Sequence, residues 1–278
     1  MNTQEFLKEY DAGRRDFSGV SFIDLSIEQK ILKNLSFCGA DLRLADFNEV
    51  AFINADLHGV HLSHAKLENS QFISCDLESA NLEGLRVLDR FFVKESDLFK
   101  ATLKNALFLG EQMFIDSTMC KANLEGATIL GTITFVGCDL SEIDLSDSNI
   151  FQLEVSSTSF DRAILQSVHF REIGEQVDFS FADLRNADLS HLDLRHSKLI
   201  GVDFRGTNLS YANLEGTDLT NIRLEQTNLE GANLKGACGL KVFESPRRIK
   251  FKSTQSLEGA ILRNTIFPDG EVVNKVEP

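Results

Sequence analysis

The sequence predicts an all-β chain wound as a repeat solenoid, and three observations predict it. A large apolar residue recurs at every fifth position, a small residue tends to stand two places before it, and glycine favours the place two after it. Proline use agrees with them: Pro246, Pro268 and Pro278 all fall late in the chain, so backbone N–H groups remain available for pairing along nearly all of the repeat. At 278 residues and 42% apolar content there is enough material for a long core.

The first element is a short N-terminal helix over residues 1–16. Asn2 with Glu5 three places on has the form of a capping box; Phe6, Leu7 and Tyr10 keep helical spacing, and Gly13 follows. An exposed solenoid end would offer unpaired strands, so this helix is expected to act as a cap.

The beat begins at Phe17 and runs through Phe22, Ile27, Leu32 and Phe37 to Val87 and Phe92. It slips by one residue after Phe92, again after Met113 and again after Ile129, then continues from Phe135 to Phe170. After a nine-residue step it runs from Phe179 to Leu234. A helix cannot use this period, because five residues at about 100° each overshoot a full turn by about 140° and would spiral the leucines around every side. A straight strand fails too, since an odd spacing alternates faces. The pattern works if each pentapeptide is a very short extended side followed by a corner, with glycines such as Gly39, Gly59 and Gly216 supplying the corner backbone.

Stretches such as Ala182-Asp183-Leu184-Arg185-Asn186-Ala187-Asp188-Leu189 and Ala212-Asn213-Leu214-Glu215-Gly216 resemble the pentapeptide-repeat family, whose motif is A(D/N)LXX. The resemblance covers residues 17–236. It implies a right-handed quadrilateral β-helix, here of about eleven coils stacked about 4.8 Å apart. With four sides per coil, Phe52, Phe72, Phe92, Met113, Phe135, Val155 and Phe179 are expected to share one interior column. The slips after Phe92 and Met113 should then share one corner, and those after Ile129 and Phe170 another.

Two interruptions follow. Arg171 to Asp178, containing Glu172, Glu175 and Gln176, is expected to project as a loop, and loops on rigid scaffolds often carry function. Residues 237–278 hold a basic excursion with Lys241, Arg247, Arg248, Lys250 and Lys252; the beat then resumes at Leu257, Leu262 and Phe267 as a final partial coil. Arg171, Glu172, Glu175, Gln176 and these five basic residues are the candidate interaction residues.

Chemistry is sparse. Aspartates such as Asp41, Asp183 and Asp188 occupy the outward slot before the large apolar residue, so architecture accounts for their number. His58, His61 and His64 would align on a helix but straddle a corner of a solenoid. Five cysteines at irregular spacing suggest reduced thiols, and none neighbours a histidine that would activate it. Gly231 and Gly236 have phosphate-loop spacing, but Ala237 stands where the lysine belongs. An interior of Leu, Phe and Ala leaves no room for a cofactor.

The expectation is a non-enzymatic interaction, scaffold or regulatory protein, soluble and cytoplasmic, a monomer or homodimer, with no cofactor or metal. A formal charge of −14 makes a protein partner, a basic one most easily, the expected ligand. Nucleic acid and anionic membranes would be repelled. The resemblance also implies an alternative: some family members mimic B-form DNA and bind type II topoisomerases, protecting gyrase. Those members end in a dimerising helix, whereas this chain ends in a basic, proline-containing segment. Asn264 to Gly270 resembles endings of family members in photosynthetic bacteria, where roles are often regulatory or unassigned.

Overall fold

A computed structural model describes residues 1–22, 24–158, 160–173, 177–240, 242–243, 250–251 and 257–273. Parallel bridges join residues about twenty apart, and four such ladders run side by side, offset from one another by five residues. One passes without a break through Ser21, Asp41, His61, Asn81, Thr102, Asn123, Asp144, Ile164, Asp183, Asp203 and Arg223. Others start at Asp16, at strand Ser26–Glu28 and at strand Ile31–Lys33. The coil therefore has four sides, each pentapeptide supplying one.

The side-chain logic is local. The large residue of each pentapeptide and the small one two places before it both point inward, and Leu57, Leu77, Leu184, Leu189 and Leu194 are fully buried. The residue between them points out but is not idle. In Asp41, Asp56, Asp76, Asp183 and many others its carboxylate accepts the backbone N–H two residues on, at 2.9–3.2 Å. The aspartates are thus corner clamps as well as surface charges. At most corners the residue two after the large apolar one is left-handed: Gly39 has φ 60° and Gly59 φ 59°, but so do Leu44 at 61° and Tyr211 at 59°.

Helix Thr3–Asp11 caps the first coil. Asn2 accepts from the Glu5 N–H at 2.9 Å while Glu5 accepts from the Asn2 N–H at 3.0 Å. Buried Phe6 meets Phe17 edge-on at 4.8 Å and Phe37 at 5.5 Å, and the Tyr10 hydroxyl accepts the Lys33 N–H at 2.8 Å. The end of the solenoid is thereby closed by rings and its strand edge partly satisfied.

The slip after Ile129 stands where the sequence places it, but those expected after Phe92 and Met113 fall one side earlier. Strand Arg86–Lys94 pairs Val87 with Leu67 but Val93 with Phe72, so its extra residue lies between Val87 and Val93. Val93 then pairs with Phe114 and Phe114 with Phe135. Hence Val93 and Phe114, both 0% exposed, occupy the interior column expected for Phe92 and Met113; Met113 is 41% exposed. All three six-residue steps, Val87 to Val93, Phe108 to Phe114 and Ile129 to Phe135, occupy one corner of three consecutive coils. Stacking explains the shared corner: a bulge leaves its neighbour's ladder intact only if the neighbour bulges in the same place. Gln112, 1% exposed, donates its amide to the Asp89 and Leu109 carbonyls at 3.2 and 2.7 Å within that corner.

Phe179 also changes column. It stacks on Phe160 at 5.4 Å rather than following Val155. Ile164 pairs with Asp183 and His169 with Asp188, so this coil is nineteen residues long. The nine-residue step spans two sides, one residue short, instead of one side enlarged. Arg171 to Ile173, expected to open a projecting loop, instead continue a strand, and residues 174–176 lie outside the described residues.

The C-terminal segment rejoins the solenoid. Asn228 pairs with Ile261 and Asn233 with Ile266, placing Leu262 and Phe267 in the core. Between the two lengths of solenoid, Val242–Phe243 pairs antiparallel with Lys250–Phe251, and after them Thr265–Ile266 pairs antiparallel with Val272–Val273. Among the described residues no helix is long and apolar enough to cross a membrane.

Candidate interaction face

The outward positions of one side are unlike the rest of the surface. That side is made by Leu107–Phe108 and by the first residues of strands Arg86–Lys94, Thr128–Val136, Asn149–Ser156 and His169–Ile173, which then turn the corner. Register places Arg86, Leu107, Thr128, Asn149 and His169 directly over one another. Two residues on in each coil stand Leu88, Leu109, Leu130, Phe151 and Arg171. Leu130 is 59% exposed and Phe151 46%. In a chain with 42 acidic side chains, five consecutive coils present no carboxylate at either outward position of this side. The Lys66–Glu68 pair, 3.0 Å apart, precedes the stretch, and Asp188 ends it.

A groove of about 570 Å³ lies over the later coils, lined by Leu130, Phe151, His169, Arg171, Asp188 and His191 among others. Burial would raise the Asp188 pKa, but hydrogen bonds from the Ser190 hydroxyl and N–H, with His169 and Asn208 nearby, hold it below the usual carboxylate value. The His191 ring stacks on Tyr211 at 5.1 Å and 9°, and Tyr211 in turn covers Gly231, where a Cβ would sit 2.5 Å from the ring. The rim of the groove is thus a stack of rigid rings.

Of the candidate residues named from sequence, Arg171 reaches this groove and exposed Glu172 follows it in the same strand, paired with Gln152. Glu175, Gln176, Lys241, Arg247, Arg248 and Lys252 lie outside the described residues; Lys250 is described only as backbone, pairing with Phe243. The structure does not bring the two interruptions together as a described site. Sequence reasoning missed Leu88, Leu109, Leu130 and Phe151, although the signal existed: each is an apolar residue at the place just after the large residue, where most repeats are polar.

Elsewhere several arginines are paired with aspartates of their own repeat. Arg43 grips Asp41 through two nitrogens at 2.8 and 2.7 Å, and Arg185, Arg195 and Arg205 grip Asp183, Asp193 and Asp203 in the same way. The Arg43 hydrogen bond holds the Asp41 carboxyl at about 2. His58 and His61 stand exposed on different sides and the His64 ring lies against Gly84. Among the described residues no group of three or more His, Cys, Asp or Glu is arranged to hold a metal. The Cys75 and Cys138 thiols are buried and donate to the Phe52 and Phe114 carbonyls at 3.4 Å; burial pushes the Cys75 thiol up to about 11, away from the thiolate.

The family model for pentapeptide repeats matches this chain in eight copies, over residues 21–59, 55–86, 175–210 and 207–238. Among solved structures the chain is similar to HetL, a pentapeptide repeat protein involved in heterocyst differentiation regulation from the cyanobacterium Nostoc sp. strain PCC 7120. Identity is 23% and the TM-score 0.33, over 98% of this chain and 100% of that one. It is also similar to full-length QnrB1, a plasmid-mediated fluoroquinolone resistance protein, at 15% identity and TM-score 0.23, over 88% of this chain and 94% of that one. A pentapeptide repeat protein from the Arabidopsis thaliana thylakoid lumen is similar at 23% identity and TM-score 0.20, over 49% of this chain and 68% of that one. No curated protein matches the chain.

Proposed function

This chain is built from pentapeptide repeats, and on that premise we propose that it is a non-enzymatic interaction protein, a rigid post that presents one flat side to a protein partner. The observation that supports this reading is the exposed apolar stripe of Leu130 and Phe151 beside Arg171, set where the parallel ladder through Thr128–Ile129, Asn149–Ile150 and His169–Phe170 meets its bulged corner. Contiguous exposed apolar surface costs free energy in water and marks a place where another surface settles. The ladder beneath it holds that surface flat without loops that must be ordered on binding, which lowers the entropy opposing association.

A reading in which acidic faces imitate nucleic acid finds less support in the geometry. The aspartates of the A(D/N)LXX motif are clamped to their own corners, and Asp41, Asp183, Asp193 and Asp203 are neutralised by adjacent arginines.

The test is affinity purification of the full chain from cells that express it, with cross-linking and mass spectrometry, beside a Leu130→Ser/Phe151→Ser variant. A protein enriched by the wild type and cross-linked to the chain is expected. If no protein is enriched over an unrelated acidic solenoid, the reading fails. A DNA supercoiling assay with type II topoisomerase is expected to show no effect of the chain.

A further inference from the structure

Charge around the stripe names the partner's chemistry. Among the described residues every arginine has a carboxylate or carbonyl acceptor except two, Arg86 and Arg171. Both lie on this side, one at each end of the stripe, with Leu88, Leu109, Leu130 and Phe151 between them. Four coil steps of about 4.8 Å separate the two by about 19 Å along the solenoid axis. That is the length of an α-helix of about 13 residues at about 1.5 Å each. One helical turn rises about 5.4 Å, close to one coil, so an apolar residue per turn would meet an apolar residue per coil. The face is only two outward positions wide, which suits a single helix lying along the axis.

We propose that this side binds an amphipathic helix of a protein partner, apolar along one stripe for three to four turns and acidic at both ends. The end carboxylates pair with Arg86 and Arg171, with His169 beside the second, while the apolar stripe covers Leu130 and Phe151. Beyond this side stand Asp89, Arg90, Glu111 and Glu172, with Arg90 beside Glu111; their net negative charge disfavours an acidic helix set one side over. A second copy of this chain is disfavoured, because two molecules of charge −14 would meet with no complementary charge pattern. This inference rests on the interaction reading above and adds the face and the ligand class.

The experiment titrates the full chain against three fluorescein-labelled synthetic helices of about 15 residues, followed by anisotropy. The first carries leucine once per turn with glutamates at both ends, the second replaces those glutamates by lysines, and the third scrambles the first. The acidic helix is expected to bind at least about tenfold more tightly than the other two. Leu130→Ser/Phe151→Ser should weaken it by about tenfold or more. Arg171→Glu should weaken the acidic helix and strengthen the lysine helix, whereas Leu44→Ser, an exposed leucine on another side, should change neither more than about twofold. Far-ultraviolet circular dichroism confirms that each variant is folded. Equal binding of acidic and lysine helices, indifference to the stripe variants, or light scattering that gives a dimer for the wild type and a monomer for Leu130→Ser/Phe151→Ser would overturn the proposal. Should a partner captured from cells still bind the Leu130→Ser/Phe151→Ser chain, the interaction reading stands and only this face loses its role.

Discussion

Gly131 and Gly39 occupy equivalent places in their repeats, yet the structure assigns them different costs on substitution by alanine. Gly39 has φ 60° and nothing within 4 Å of where a Cβ would sit. Gly39→Ala therefore meets only the left-handed penalty of about 1–2 kcal/mol, partly offset by about 0.4–1 kcal/mol from the lower entropy of the unfolded chain. The net loss is about 1 kcal/mol. Gly131 stands in the bulged corner directly over Gly110, and a Cβ there would lie 1.8 Å from the Gly110 carbonyl oxygen. Ordinary contact begins at 3.4 Å, so the coils must part by about 1.5 Å at that corner. The same oxygen accepts the Thr132 N–H at 3.1 Å, and that bond is lost when the coils part. Gly131→Ala should cost at least about 3 kcal/mol. Urea unfolding monitored by circular dichroism measures both. Hydrogen exchange should show the added opening confined to the coils around Gly110 and Thr132, as nearest-neighbour coupling in a solenoid requires. An unfolding midpoint for Gly131→Ala equal to or above that of Gly39→Ala would refute the placement of the bulges.

Register gives a second contrast. Phe114→Ala removes a ring stacked on Phe135 at 5.1 Å and should cost about 3–5 kcal/mol, whereas Met113→Ala should cost under about 1 kcal/mol, both read from urea midpoints. Asp41 and Asp193 have folded pKa values lowered first by hydrogen bonds from Arg43 and Arg195, so their stabilisation is complete above the ordinary carboxylate value and disappears as pH falls through the folded one. The thermal midpoint should therefore be level down to about pH 5 and drop between about pH 4 and pH 2, with a smaller drop in Arg43→Ala. A timed alkylation followed by mass spectrometry should label exposed Cys238 first and reach Cys75 and Cys138 only on unfolding, since burial raises both thiols.

Much of this architecture was legible before any coordinates. The capping box at Asn2 and Glu5, the inward leucines at Leu184 and Leu189, and the return of the beat at Leu262 and Phe267 all stand where the sequence places them. The slips were not so legible. Phe92 and Val93 are both apolar, as are Met113 and Phe114, and either of each pair keeps a plausible beat. The interaction face was hidden for a similar reason: its residues are spread from Arg86 to Arg171 and look like scattered substitutions at polar slots.

The five-residue period by itself determined the mode of folding, because inward positions that repeat every five residues suit neither a helix nor a straight strand and demand a corner in each repeat. Which residue of an ambiguous pair faces in was decided only by the neighbouring coils. A single extra residue is absorbed at whichever corner keeps the hydrogen-bond ladder above and below in register. That choice brought Val93 and Phe114 inside and turned Met113 out.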